Sequence, residues 1–361
     1  MSQDEAWMQR ALCLARRGEG MTRPNPPVGA VVVRNGQCVG EGYHRKAGTP
    51  HAEVLALRAA GANALGATLY VTLEPCCTQG RTPPCTEAIR AAGIRRVVAA
   101  VRDPNPAHCG RGFRVLRKAG METVCGICAE AARDLLMPFT SRVTRSRPWV
   151  ILKLGATLDG RIADRTGASR WITSPASRRL VQELRRSADA ILVGSETVRT
   201  DNSSLFPRPP RGRRPWRVIV DGHGRIPSTA AVLSDGRAEE TLFAVSAACP
   251  ERTRNRYRRC GAHVVQPAGS ARQVHLAGLM RHLQSLGLLC VLCEGGGELA
   301  GALLRARLVD ELVWFVSPML LGGDACPSVG GTGWRLPAGP RLTKLKWKSA
   351  GVDLVVRARL R

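Results

Sequence analysis

An amphipathic pattern around Trp7, Ala11, Leu14 and Ala15 opens the chain, directly after the acid-bearing stretch Met1 to Glu5. Further on, Ala52 to Ala60 is rich in Ala and Leu with no breaker, which predicts a helix starting at Pro50-His51. Thr68 to Leu73 reads as a strand that delivers Glu74-Pro75-Cys76. Beyond Pro83-Pro84, the run Cys85 to Ala92 predicts a second helix, with proline near its first turn where the missing N–H costs nothing.

The pattern breaks between Met137 and Pro148. Thr140 to Pro148 is polar, basic and closed by proline, and reads as a linker. A new series of apolar runs follows at Trp149–Leu154, Ala190–Val193, Arg217–Val220, Thr241–Val245 and Leu288–Cys293, separated by helical stretches such as Ser177–Arg186 and Glu298–Arg305. That alternation predicts an α/β domain with a largely parallel sheet. A length of 361 residues suits two domains, placed at 1–145 and 146–361.

Composition narrows the class. Hydrophobic residues make up 44% of the chain, enough for two cores. The N-terminus lacks the signature of a signal peptide, and no apolar run reaches the roughly 18 residues of a membrane span. The odd count of 13 cysteines points to a reducing compartment, with the cytoplasm as the default. Fifty-four basic against 28 acidic residues leave a net charge of +26, which suggests nucleic acid at first sight. Aromatics at 4% and arginines scattered along the chain argue against a stacking groove and for a generally basic surface with a few phosphate-binding arginines. Cys125-Gly-Ile-Cys128 and Cys290-Val-Leu-Cys293 have the spacing of metal pairs, yet the second lies in an apolar run that reads as a buried strand; both are expected to be core or incidental thiols.

The chemistry concentrates in His51-Ala52-Glu53, Glu74-Pro75-Cys76 and Pro84-Cys85. A catalytic zinc takes about three protein ligands and keeps one position open for water, and His51, Cys76 and Cys85 meet that count. Glu53 is the free carboxylate, placed to carry protons from the water to a leaving amine, as zinc deaminases of cytosine-like or adenine-like rings require. Cys85 at a helix N-terminus would have its thiolate favoured by the macrodipole. Lone cysteines are mostly small buried apolar groups, but the ordered combination outweighs that reading. Cys77, next to a ligand on the strand end, is expected to point elsewhere.

In the second half, Glu294-Gly-Gly-Gly-Glu-Leu-Ala-Gly301 follows a buried strand and opens a helix. Successive glycines let backbone N–H groups approach phosphate oxygens, so a dinucleotide pyrophosphate is the candidate ligand; an ordinary tight turn is the competing reading, because the loop is not the usual fingerprint in first-strand position.

The runs Pro24-Asn-Pro-Pro-Val-Gly29, Gly42-Tyr-His44, His51-Ala-Glu53, Thr72-Leu-Glu-Pro-Cys76, Gly80-Arg-Thr-Pro-Pro-Cys85 and Asp103-Pro-Asn-Pro106 resemble the deaminase half of the bifunctional riboflavin-biosynthesis deaminase/reductases. Lys153-Leu-Gly-Ala-Thr-Leu-Asp-Gly160, Ser169-Arg-Trp-Ile-Thr-Ser174 and Glu294-Gly-Gly resemble the reductase half, so the likeness spans essentially the whole chain. The spacing from Cys76 to Cys85 separates it from nucleic-acid deaminases of the P-C-x-x-C kind.

The resemblance implies an α/β architecture: a cytidine-deaminase-like three-layer domain followed by a dihydrofolate-reductase-like domain. It implies one zinc per chain, NADPH, and a phosphorylated pyrimidine as substrate, hydrolytically deaminated and then reduced from ribosyl to ribityl. Asn25 and His44 fall at deaminase substrate positions. Ala156, Trp171, Thr197, Asp201 and the loop Gly295, Gly296, Gly297, Glu298, Leu299, Ala300, Gly301 and Ala302 fall at cofactor positions. Ser169, Arg185, Leu205, Arg208 and Glu294 fall at reductase substrate positions, with Lys153 a candidate catalytic group near hydride transfer. Arg185 and Arg208 suit bidentate phosphate recognition. A homo-oligomer without membrane attachment is expected. The chain departs from the family pattern at Cys77-Thr78, where Ser-His is usual, at Asn202 to Phe206, and at Gly222, where a serine often meets the cofactor. The alternative is a tRNA or polynucleotide zinc deaminase with an accessory C-terminal domain, which leaves the second half without a role.

Overall fold

Ser2 caps the first helix, α1 (Gln3–Arg16): its Oγ accepts the Glu5 N–H while the Glu5 carboxylate accepts the Ser2 N–H, satisfying two N-terminal donors reciprocally. The computed structural model describes all residues except Arg81, Arg211 and Gly212, and these form two units, Met1–Arg147 and Pro148–Arg361.

In the first unit, β1 (Gly29–Arg34), β2 (Gln37–Tyr43), β3 (Thr68–Val71), β4 (Arg96–Ala99) and β5 (Glu122–Cys125) form one sheet in the order β2-β1-β3-β4-β5. β1 runs antiparallel to both neighbours, whereas β3, β4 and β5 are parallel. Gly29 to Val33 are all buried, as a strand covered on both faces must be. One face packs on α2 (Ala52–Ala60), α3 (Cys85–Ala91) and α4 (Arg111–Lys118), through Ala56, Ile89 and Leu116 among others. The other face packs on α1 and α5 (Ala129–Arg145), through Met8, Ala11 and Leu136. The result is three layers. Glycines allow the closest approach: a Cβ on Gly40 would stand 2.3 Å from the Ala56 carbonyl oxygen, so α2 lies directly on β2.

The expected linker is not one. Thr140 to Arg145 continue α5, and Ser141 is buried with its Oγ donating to the Arg147 carbonyl. The polar, basic residues that suggested a loop include the helix's exposed Thr144 and Arg145; the helix stops only at Ser146, whose φ of +53° leaves the helical region.

In the second unit, β6 (Trp149–Thr157), β7 (Arg161–Ala163), α6 (Pro175–Ser187), β8 (Ala190–Gly194), α7 (Ser195–Asp201), β9 (Trp216–Val220), α8 (Ala231–Ser234), β10 (Thr241–Ala244), α9 (Glu251–Arg259), β11 (His263–Val265), α10 (Leu276–Ser285), β12 (Cys290–Cys293), α11 (Gly297–Arg305), β13 (Glu311–Ser317), β14 (Cys326–Pro327), β15 (Leu342–Ala350) and β16 (Asp353–Leu360) follow in sequence. The main sheet has the order β11-β10-β9-β8-β12-β6-β13-β16-β15. Every pair from β11 to β13 is parallel, and β16 is antiparallel to both its neighbours. Val150, Leu152 and Leu154 of β6 pack with Leu279 and Leu283 of α10 and Leu303 of α11. Cys290 and Cys293 are buried in β12, while Cys125 is exposed and Cys128 half-buried; among the described residues neither pair joins a metal-holding group.

Candidate active sites

The strand β3 ends in a segment that is held from beneath. Glu74 is buried, and its carboxylate accepts the backbone N–H groups of Asp103 at 3.1 Å, Gly110 at 2.9 Å and Phe113 at 3.2 Å, tying the segment to the start of α4. Gly112 presses on the next residue: a Cβ there would lie 2.2 Å from the Pro75 carbonyl oxygen. Cys76 is thereby fixed against α3, whose first residue, Cys85, donates its N–H to Cys76 Sγ at 3.3 Å. His51 is the N-cap residue of α2, and Glu53 sits buried in that helix's first turn.

His51 Nδ1 stands 3.2 Å from Cys85 Sγ and 3.5 Å from Cys76 Sγ, and one donor atom from each of the three residues falls within 4.8 Å of the others. Zinc–nitrogen and zinc–sulfur bonds of about 2.0 and 2.3 Å at a tetrahedral angle would put nitrogen and sulfur about 3.5 Å apart. The donor set, one imidazole and two sulfurs, fits that ion. A hydrogen bond from Cys85 draws the Cys76 thiol down to about 4, reinforced by His51 and opposed by burial. The same bond and burial push the Cys85 thiol up. Metal ligation requires deprotonated thiols, and the cation's charge would offset what burial and the paired thiol impose. The hydrogen bond to Cys76 raises His51. Glu53 is raised by burial first and the Cys76 charge second, the direction a proton-carrying carboxyl needs.

His44 closes on the same imidazole, and Asn25 closes on His44. Asn25 Nδ2 is 3.1 Å from His44 Nε2, and the His44 ring meets the His51 ring edge-on with centroids 5.1 Å apart. Burial, then the His51 charge, lowers His44. Cys77 stays outside the ligand group, half-buried, its thiol pushed up by burial. Arg81 of the Gly80-to-Cys85 run lies outside the described residues. Thr82, which the sequence reading passed over, places Oγ1 3.3 Å from His51 Nε2; its place in the loop that supplies Cys85 was the available signal.

In the second unit a cavity of about 1670 Å³ is walled by β6, α6, α7 and the loop after β12. Glu294 leaves the end of β12 and meets two cations: Arg185 Nε and Nη2 reach its oxygens at 2.6 and 2.8 Å, and Lys153 Nζ lies 3.6 Å away. Burial would raise this carboxyl, but the Arg185 and Lys153 charges outweigh it and hold it down to about 2. The glycine loop is fixed by Thr197 Oγ1, which accepts the Gly296 N–H at 2.8 Å, and by the Gly194 N–H bonded to the Gly295 carbonyl.

Lys153, Ser169, Trp171, Arg185, Thr197, Asp201, Arg208, Glu294, Gly295 to Leu299 and Ala302 line the cavity. Trp171 is 65% exposed, with the Arg178 guanidinium 4.3 Å above its ring. Ala156, Leu205, Ala300 and Gly301 lie in the packed interior instead. Gly301 is small for a packing reason, since a Cβ would stand 2.0 Å from the Gly330 carbonyl oxygen. Arg178, Arg179 and Gln182 join the wall, as do His223 and Gln273. The first three share a face of α6 with Arg185, which helical spacing could have revealed; the last two sit in loops that carry no such signal.

A buried carboxylate beside an imidazole and two thiols, on one chain with a glycine-looped α/β cavity, defines a two-site protein of the zinc deaminase and dinucleotide reductase class. Family comparison gives the same division. Residues 1–101 match the cytidine and deoxycytidylate deaminase zinc-binding region, and residues 148–356 match the RibD C-terminal domain. The riboflavin biosynthesis protein RibD of Aquifex aeolicus is 42% identical over 355 residues, covering 98% of this chain and 97% of that one. RibD of Acinetobacter baumannii superposes with a TM-score of 0.88 at 38% identity, covering 99% of both chains. A Thermotoga maritima diaminohydroxyphosphoribosylaminopyrimidine deaminase/5-amino-6-(5-phosphoribosylamino)uracil reductase gives 0.86 at 33% identity, again covering 99% of both. The chain belongs to the RibD family of bifunctional riboflavin-biosynthesis deaminase/reductases. Its folds are therefore cytidine-deaminase-like and dihydrofolate-reductase-like, and its cofactors are zinc and NADPH.

Proposed function

We propose that the N-terminal unit deaminates 2,5-diamino-6-ribosylamino-4(3H)-pyrimidinone 5′-phosphate and that the C-terminal unit then reduces the ribosyl group of the product to a ribityl chain. The observation that carries the first step is His51 Nδ1 at 3.2 and 3.5 Å from two thiol sulfurs, with Glu53 buried in the same helix turn. His51, Cys76 and Cys85 would hold the zinc, which when bound would supply Lewis acidity and lower the pKa of water. Glu53 is the carboxyl that would accept a proton from the attacking water and return one to the departing ammonia, and its raised affinity for protons suits both transfers. Asn25 and His44, joined to each other, face the pyrimidine ring.

NADPH, when bound in the second unit, would supply the hydride for C1′ of the sugar. Gly295 to Leu299, Ala302, Thr197, Trp171 and Asp201 bind the cofactor, and Ser169, Arg208 and Glu294 hold the substrate. Arg185 keeps Glu294 ionised and aimed into the cavity, and Lys153, 3.6 Å from that carboxylate, is the candidate polar group for the transfer. The substrate is a small phosphorylated molecule rather than a polynucleotide, and the cytoplasm, where both substrate and NADPH are at hand, is the proposed location. Among the described residues no helix is long and apolar enough to cross a membrane. A homo-oligomer is part of the proposal: the edge strand β15 exposes Leu345 at 57% and Trp347 at 71%, and light scattering tests it.

The test of function is direct. The purified protein is incubated with the diaminopyrimidine ribotide, with and without NADPH, and products are identified by mass. An amino-to-oxo exchange without cofactor, followed by addition of two hydrogens with it, is the expected result; zinc-replete protein that releases no ammonia overturns the first step, and absence of substrate-dependent NADPH oxidation overturns the second.

A further inference from the structure

The His51 ring is engaged at both nitrogens. Nδ1 faces Cys85 Sγ at 3.2 Å and Cys76 Sγ at 3.5 Å, while Nε2, on the far side, lies 3.3 Å from Thr82 Oγ1. An imidazole that ligates a cation does so through a deprotonated nitrogen, so its proton must reside on the other one and needs an acceptor. Thr82 offers that acceptor. Among the described residues no other hydrogen-bonding group stands at Nε2: the His44 contact is edge-on through the ring itself. The loop that holds Thr82 is also closed on itself, since the Gly80 N–H donates to the Thr82 carbonyl at 3.2 Å, and three residues later the chain supplies Cys85.

We infer that Thr82 is a positioning residue of the deaminase site: its hydroxyl accepts the His51 Nε2–H, fixes the tautomer that leaves Nδ1 free for zinc, and holds the ring plane toward the two sulfurs. One loop thus delivers a sulfur ligand and orients the nitrogen ligand. This rests on the zinc-site reading above and assigns a role to a side chain which that reading does not use. A valine in its place keeps the branched shape and loses the acceptor; a serine keeps the acceptor and loses a methyl group.

The experiment compares zinc-loaded wild type, Thr82→Val and Thr82→Ser in competition with a chromophoric chelator, with ¹⁵N shifts of the His51 ring as a second readout. Thr82→Val is expected to lose zinc at roughly 10-fold lower chelator concentration, to show reduced Nε2–H character, and to lower kcat more than it raises KM. Thr82→Ser is expected to stay within about 2-fold of wild type, because the hydroxyl acceptor is retained. Thr82→Val that holds zinc as tightly as wild type, or that changes only KM, overturns the inference and leaves the zinc site standing. Wild type that holds no zinc overturns the site itself. Should Thr82→Val not fold, the ring shifts of wild type and Thr82→Ser decide: a proton on Nδ1 in the zinc-loaded protein overturns the role.

Discussion

Arg185 grips Glu294 with two nearly equal hydrogen bonds, Nε to Oε1 at 2.6 Å and Nη2 to Oε2 at 2.8 Å, both side chains being largely buried. A guanidinium held this way has two of its donors committed before any phosphate arrives, so its first task is to keep a carboxylate charged inside the cavity. Removing one partner of a buried pair leaves the other charge uncompensated, at a cost of about 3–5 kcal/mol. Arg185→Ala should therefore lower the melting temperature of the ligand-free protein by roughly 6–20 °C, whereas a loss confined to substrate affinity would show that the pair contributes little to the fold.

The same pair sets an acid limit. Glu294 is held down to about 2 from an ordinary 4.5, and a depressed carboxylate contributes stability that is present above its ordinary value and lost as pH falls through its folded one. Wild type should lose stability progressively below about pH 4.5, toward about pH 2. The gap in melting temperature between wild type and Glu294→Gln should accordingly shrink between about pH 6 and about pH 3. A gap that stays constant over that range would mean that Glu294 is not the group titrating.

Glu53 makes the opposite case, a buried carboxyl raised by burial and by the Cys76 charge. Its ionised form is disfavoured in the folded protein, so a neutral amide of nearly the same shape relieves a cost while removing the proton carrier. Glu53→Gln is expected to keep its zinc and its melting temperature and to release ammonia about 10²–10⁴-fold more slowly. Near-normal turnover would show that another group moves the protons.

Zinc removal should separate the two activities, because the His51, Cys76 and Cys85 group and the Glu294 cavity lie in different units. Chelation is expected to abolish ammonia release while leaving NADPH oxidation intact when the deaminated ribotide is supplied directly. Re-addition of zinc should restore the first step. Loss of both activities on chelation would indicate that the metal supports the whole fold.

The deaminase site is legible in the sequence because its parts lie close together there and their residue types are rare in combination: the structure brings His51, Cys76 and Cys85 into one group and buries Glu53 in the first turn of the helix that His51 caps. Thr82 was missed, since a threonine in a proline-rich loop looks like turn chemistry until the imidazole is seen beside it. The Arg185–Glu294 pair was read as two separate substrate contacts, because nothing in one sequence shows that the last turn of α6 meets the end of β12. The linker reading of Thr140–Arg145 failed for a related reason: a helix with a polar exposed face and a proline, Pro138, within it has the composition of a loop. Local patterns place elements well; the order of strands and the pairing of charges across the sheet are tertiary facts.

Gly222 gives a case in which a departure from the family pattern can be reversed. It lines the reductase cavity, outside the left-handed backbone region that favours glycine, and a Cβ built there meets only Ser246 Oγ at 3.6 Å, Val274 Cγ2 at 3.7 Å and Ser246 Cβ at 3.9 Å, ordinary van der Waals distances. Nothing in the packing demands glycine. Gly222→Ser should fold at least as well as wild type, since a residue with less backbone freedom reduces the entropy of the unfolded chain. If the hydroxyl reaches the cofactor, as the resemblance implies, one hydrogen bond of about 0.5–1.5 kcal/mol should lower the KM for NADPH by roughly 2–10-fold with kcat little changed. An unaltered KM in a stably folded Gly222→Ser protein would place the cofactor away from this loop and so shift the boundary between the cofactor and substrate ends of the cavity.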